Sequence, residues 1–122
     1  MTLLDFRRPF QIWVYSVSHG QLLLRSNKSG IYETRIDVLF KNVSYMNIAT
    51  NLDVLIIRQV EYHFIKEIGA PVDGDAVKNR NFYELRSNGN KGYIFSGSVN
   101  WHEDNGSHYE ASFFQSSFLF PV

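Results

Sequence analysis

Phe10-Gln11-Ile12-Trp13-Val14-Tyr15-Ser16-Val17, then Ser18-His19-Gly20-Gln21, then Leu22-Leu23-Leu24-Arg25 is the stretch that decides how this chain folds. Its opening residues are rich in β-branched and aromatic side chains, which fit a pleated, half-buried surface. His19-Gly20 supplies the permissive backbone of a tight reversal. The reading is a β-hairpin over residues 10–26. Strict alternation places Trp13, Tyr15 and Val17 on one face and Phe10, Ile12 and Val14 on the other. The return strand carries three consecutive leucines. Apolar side chains on both faces predict a hairpin covered on both sides, by a second sheet, a neighbouring subunit or a ligand.

Working outward, a chain of 122 residues fits one domain, residues 1–122, and can bury roughly two-thirds of its unfolded surface. It therefore needs no disulfide or metal staple. Hydrophobic residues make up 44% of the chain and aromatics 16%. That aromatic share serves either core filling or a binding surface. Twelve Lys and Arg balance twelve Asp and Glu, whereas nucleic-acid binders draw their affinity from a basic surplus. No nucleic-acid partner is expected. There is no cysteine, which removes thiol catalysis and cysteine-ligated metal centres. The first residues lack the apolar core of a signal peptide, and no run approaches about 18 apolar residues. A cytoplasmic location and no membrane partner are the expectations.

After the hairpin, Asn27-Lys28-Ser29-Gly30 is a turn. The next segment alternates cleanly: Tyr32, Thr34, Ile36, Val38 and Phe40 share one face, with Glu33, Arg35, Asp37 and Lys41 on the other. This predicts a strand with its polar face in water. Residues 43–48 fit a short strand or a helical turn equally. Val54 to Val60 reads as a central strand, continuing through Tyr62 and Phe64 towards Ile68. Residues 71–80 form the longest polar connection, with a short helix expected near 75–80. Phe82 to Arg86 and Tyr93 to Trp101 are strands of a meander, with Gly97 marking a bulge or close backbone approach. Tyr109 to Ser116 is read as a returning strand, and the apolar tail 118–122 as docked on the core or a second subunit. About eight strands at intervals of roughly 8–12 residues predict a mainly β, antiparallel barrel or sandwich.

Chemistry is sparse. His102, Glu103 and His108 share one polar loop, and imidazole with carboxylate suits a divalent metal, although Asp104-Asn105-Gly106-Ser107 is also ordinary turn chemistry. Ser18 and His19 are neighbours whose side chains diverge on a strand, so they read as a turn rather than a nucleophile and base. His63 reads as an outward strand residue. Asp73 and Asp75 lack the further ligands of a calcium loop. Arg25 and Arg58 border apolar runs; if buried, each needs a carboxylate, and Glu33, Asp37 and Glu61 are the candidates.

No catalytic set assembles and no cofactor is expected. The leading reading is a non-enzymatic binding or protein-interaction module whose partner is another protein or a second copy in a homo-oligomer. Candidate partner-binding residues are Trp13, Tyr15, Tyr93, Phe95 and Trp101. The alternatives are a barrel carrier of a small apolar ligand, a metal-dependent, cupin-like enzyme built on His102, Glu103 and His108, and a protein-neutralising partner such as an immunity protein.

Overall fold

A computed structural model describes residues 1–70 and 80–115. The hairpin forms as β2 (Phe10–Ser16) and β3 (Gln21–Ser26), joined by a turn in which Gly20 takes a φ of +59°. Around it the chain builds two antiparallel five-stranded sheets. The first sheet holds β1 (Thr2–Phe6), β7 (Leu55–Val60), β8 (Asn81–Ser87), β9 (Asn90–Ser96) and β5 (Tyr45–Asn47), in that spatial order. The second holds β10 (Val99–Asp104), β4 (Arg35–Phe40), β3, β2 and β6 (Asn51–Leu52). Neither sheet closes on itself, so the architecture is sandwich-like rather than a barrel.

The central core lies between the sheets. Phe10, Leu22, Leu24, Ile36, Val38 and Phe40 of the second sheet meet Leu55, Ile57, Tyr83, Leu85 and Ile94 of the first. The triple leucine of β3 sits in the middle of its sheet, with Leu22 and Leu24 turned inward and Leu23 outward. The predicted two-sided burial holds for β3, with the first sheet on one side and Phe114 and the His108 carbonyl on the other, whereas Tyr15 and Val17 are exposed.

Four sequence expectations change. Strict alternation in β2 fails at a bulge between Ile12 and Val14, which turns Trp13 and Val14 together onto the outer face beside Leu23 and Leu39. Tyr15 then pairs with inward-facing Leu22, on the opposite face from Trp13. The long strand expected from Tyr93 to Trp101 divides at Gly97-Ser98 into β9 and β10, which belong to different sheets. At the crossing the Gly97 N–H donates to the Lys41 carbonyl at 2.8 Å, and a Cβ there would stand 3.2 Å from that oxygen.

Beyond Val60 the chain turns into a short helix, α1 (Tyr62–Glu67), not a continued strand. The outer face of the first sheet explains it. Val60, Phe82, Phe95 and Tyr45 occupy directly paired positions there, and one helical turn lays Tyr62 on Phe82 and Phe64 against Tyr93, with ring centroids 5.7 and 6.2 Å apart. Finally, residues 109–115 form turns instead of a returning strand, because arginine side chains take the carbonyls that a ladder would use, as detailed below. The helix expected near 75–80 and the apolar tail at 118–122 lie outside the described residues. Among the described residues no helix is long and apolar enough to cross a membrane.

Candidate functional site

The polar face of β4 is the main departure from the sequence reading. Arg35 and Asp37 were expected in water, yet both are buried. Arg25 of β3 stands directly opposite Asp37 and meets it through two bonds, Nε to Oδ1 at 2.7 Å and Nη2 to Oδ2 at 3.0 Å. Their side chains are 0% and 2% exposed. The third direction of the Arg25 guanidinium donates to the His108 carbonyl at 3.2 Å, its central carbon lies 4.6 Å from the Trp13 ring centre, and the Ser112 hydroxyl donates to Asp37 at 2.6 Å. One strand further out, Arg35 makes the same two-bond contact with Asp104. It also donates to the carbonyls of Ser107, Glu110 and Ala111. A buried charge must be paired and fully hydrogen-bonded to be tolerated. Here two arginines meet that demand by fastening residues 104–112 across the sheet.

The fastened segment completes a cleft of about 260 Å³ at one end of the second sheet. Phe10 and Gln11 of β2, Arg25 and Asn27 at the end of β3, Tyr32 and Asn51 define it, with His108 from the fastened segment. Arg8 braces three of the residues that line it, Ser26, Asn27 and Tyr32. Its Nε donates to the Ser26 hydroxyl at 2.7 Å, and Nη2 to the carbonyls of Thr34 at 2.5 Å and Asn27 at 3.4 Å. The same guanidinium sits 4.5 Å from the Tyr32 ring centre. Partial burial lowers the Arg8 pKa, while Glu103 and Tyr32 act in the opposite direction. The side-chain oxygen of Asn27 is buried and has no hydrogen-bond partner among the described residues. An acceptor shut away from water and left unpaired costs roughly 1–3 kcal/mol.

The sequence-derived binding residues are dispersed. Trp13 lies on the outer face of the second sheet beneath Arg25, and Tyr15 is exposed near the hairpin turn. Tyr93 and Phe95 share the outer face of the first sheet, whereas Trp101 closes the sandwich edge against Phe6 at 5.2 Å. Only Tyr93 and Phe95 belong to one cluster. Of the metal candidates, His102 stacks on Phe113 at 3.9 Å. Glu103, on the opposite face of β10, accepts from the Thr34 hydroxyl at 2.5 Å, and His108 lies beyond the strand end. Among the described residues no three His, Cys, Asp or Glu side chains gather as a metal site. His63 is exposed in α1 beside Glu61, and Arg58 meets Glu84 rather than Glu61. Asn27, Tyr32 and Asn51 were missed, because ordinary turn residues carry no signal of a cleft until distant segments close it.

The chain matches no family model, no curated protein and no solved structure.

Proposed function

We propose that this chain is a non-enzymatic binding module, and that the cleft between Phe10, Asn27, Tyr32 and His108 takes a small hydrogen-bond-donating group of its partner. The polar lining of the cleft, with Asn27, Ser29, Asn51 and His108 on it, carries this reading. The cleft's volume, about 260 Å³, falls just below the usual range of roughly 300–1,000 Å³ for ligand pockets. That size suits a single side chain of a protein partner or a small polar molecule. The lining is rigid, because Arg8 and Arg25 spend their N–H groups on Ser26, Asn27, Thr34, Asp37 and His108. A rigid site spends little free energy on ordering when it binds. An apolar-ligand carrier draws little support from a sandwich whose interior is filled by leucine, isoleucine and aromatic side chains.

Titration of isotopically labelled protein with acetamide and glycerol, as probes for amide and hydroxyl donors, tests the reading. The amide signals of Asn27, Ser29 and Asn51 should shift saturably, and Asn27→Leu should abolish the response while preserving the spectrum elsewhere. Shifts scattered over the surface, or unchanged by Asn27→Leu, would refute it.

A further inference from the structure

We propose that the outer face of the first sheet holds an oxyanion site, separate from the cleft, in which Arg58 and Arg86 clamp a carboxylate or phosphate group. Glu84 lies on β8, the middle strand of that sheet. Directly opposite it stand Arg58 on one neighbouring strand and Tyr93 on the other. The Glu84 side chain is 0% exposed. Both arginines reach it through Nε alone and on the same oxygen, Arg58 at 3.1 Å and Arg86 at 2.5 Å. Two guanidinium groups sharing one oxygen are held side by side. Their Nη groups have no hydrogen-bond partner among the described residues, and the side chains remain 35% and 44% exposed. The second Glu84 oxygen is buried without a partner among the described residues, so this carboxylate does not close either guanidinium fork.

Charge points the same way. Glu84 faces two guanidinium groups, Lys91 stands directly opposite Arg86 on the same face, and Asp5, on that face two strands from Arg86, is paired with Arg7, leaving a local positive excess on a chain of zero formal net charge. A guanidinium fork matches the paired oxygens of a carboxylate or phosphate, and such charge-assisted bonds are the stronger kind. The buried Glu84 orients both forks before any ligand arrives, which reduces the ordering cost of binding. The neighbouring half of the face is apolar and covered by α1, so the ligand is bounded on that side by Phe64 and Tyr93.

The test follows the arginine Nε–H signals by NMR during addition of inorganic phosphate, of glutarate, and of sodium chloride at matched ionic strength. Arg58 and Arg86 should shift saturably with phosphate, glutarate or both, while Arg25 and Arg35 stay still and chloride has no such effect. Saturation by phosphate alone assigns a phosphate ligand, and saturation by glutarate alone assigns a carboxylate. Arg86→Gln changes a half-exposed side chain and should weaken the response at least tenfold, on the order of one charge-assisted bond. The proposal is overturned if chloride reproduces the shifts, if all four arginines move together, or if Arg86→Gln binds within about twofold of the native chain. Signals at Asn27 and Asn51 report the cleft separately, so either site can fail alone.

Discussion

The two outer faces of the sandwich use the same device to different ends. Arg25 faces Asp37, Arg35 faces Asp104 and Arg58 faces Glu84, each pair directly opposed across neighbouring strands. On the second sheet both forks are closed: two bonds to the aspartate, with the remaining N–H groups on backbone carbonyls. On the first sheet one glutamate oxygen serves two arginines, and their outer N–H groups have no partner among the described residues. The difference lies in what covers the pair. Residues 104–112 wrap the second face and turn its arginines into fasteners. Over Glu84 the only cover described is the arginines themselves with their neighbouring side chains. A cross-strand ion pair is therefore structural or available for binding according to its roof, not its residue types.

If this comparison is right, Asp37→Ala should be the most damaging change. It strands a guanidinium that is 0% exposed and removes the acceptor of Ser112, and breaking a buried pair costs about 3–5 kcal/mol. Chemical denaturation reads the loss directly. A loss below about 1 kcal/mol would place Arg25 among ordinary surface pairs and erase the contrast. Gly106→Ala comes next. A Cβ at Gly106 would stand 2.5 Å from Arg35 Nη2 and 2.6 Å from its central carbon, so the guanidinium must give way. Overpacking of this kind costs about 1–3 kcal/mol, and the freed segment 107–115 should become the first site of limited proteolysis. Unchanged proteolysis would show that Arg35 is not its anchor.

Acid provides a graded test of the same fastener. Burial alone would raise the Asp104 pKa, but hydrogen bonds from Arg35 and the Gly106 N–H, with the charges of Arg35 and His102, hold it below its usual value of 3.8. A carboxyl depressed by folding adds stability that is complete above its unfolded pKa and is lost as pH falls through the folded one. The thermal midpoint should therefore drop on acidification from about pH 5 to pH 3, and less steeply in Asp104→Asn. Equal slopes in the two proteins would remove Asp104 from the account.

The sequence showed the strands of this comparison but not its roofs. Alternation over Tyr32 to Phe40 identified β4, and the apolar run before Arg25 put Asp37 among three candidate partners. Neither could show that the polar face of β4 is buried, because its cover comes from Ser112, 75 residues away from Asp37 in the chain. The carboxylate that meets Arg58 was absent from the candidate set for a similar reason: Glu84 lies in a separate strand, and register is not visible in a sequence. Tyr62 and Phe64, two residues apart, satisfied strand periodicity while serving a helix. The bulge at Trp13 defeated a count that assumed perfect pleating. Gly97 alone announced its role, since a glycine inside an alternating run asks for a close backbone approach.

The smallest expected effect is the one that separates a fastener from an open fork. Arg86→Gln removes a guanidinium that is 44% exposed, so the folded state should lose no more than about 1 kcal/mol, the scale of a surface ion pair. Glu84 retains Arg58, and the vacated space opens to water, unlike the closed surroundings of Arg25. A double-mutant cycle of Arg86→Gln with Glu84→Gln should accordingly yield a coupling well below that of an Arg25→Gln and Asp37→Asn cycle. If the two couplings are equal, Arg86 is as structural as Arg25, and the open fork on the first sheet is a fastener after all. If they differ as the exposures require, the native fold has little use for the outward N–H groups of Arg58 and Arg86, and an incoming oxyanion is the partner their geometry fits.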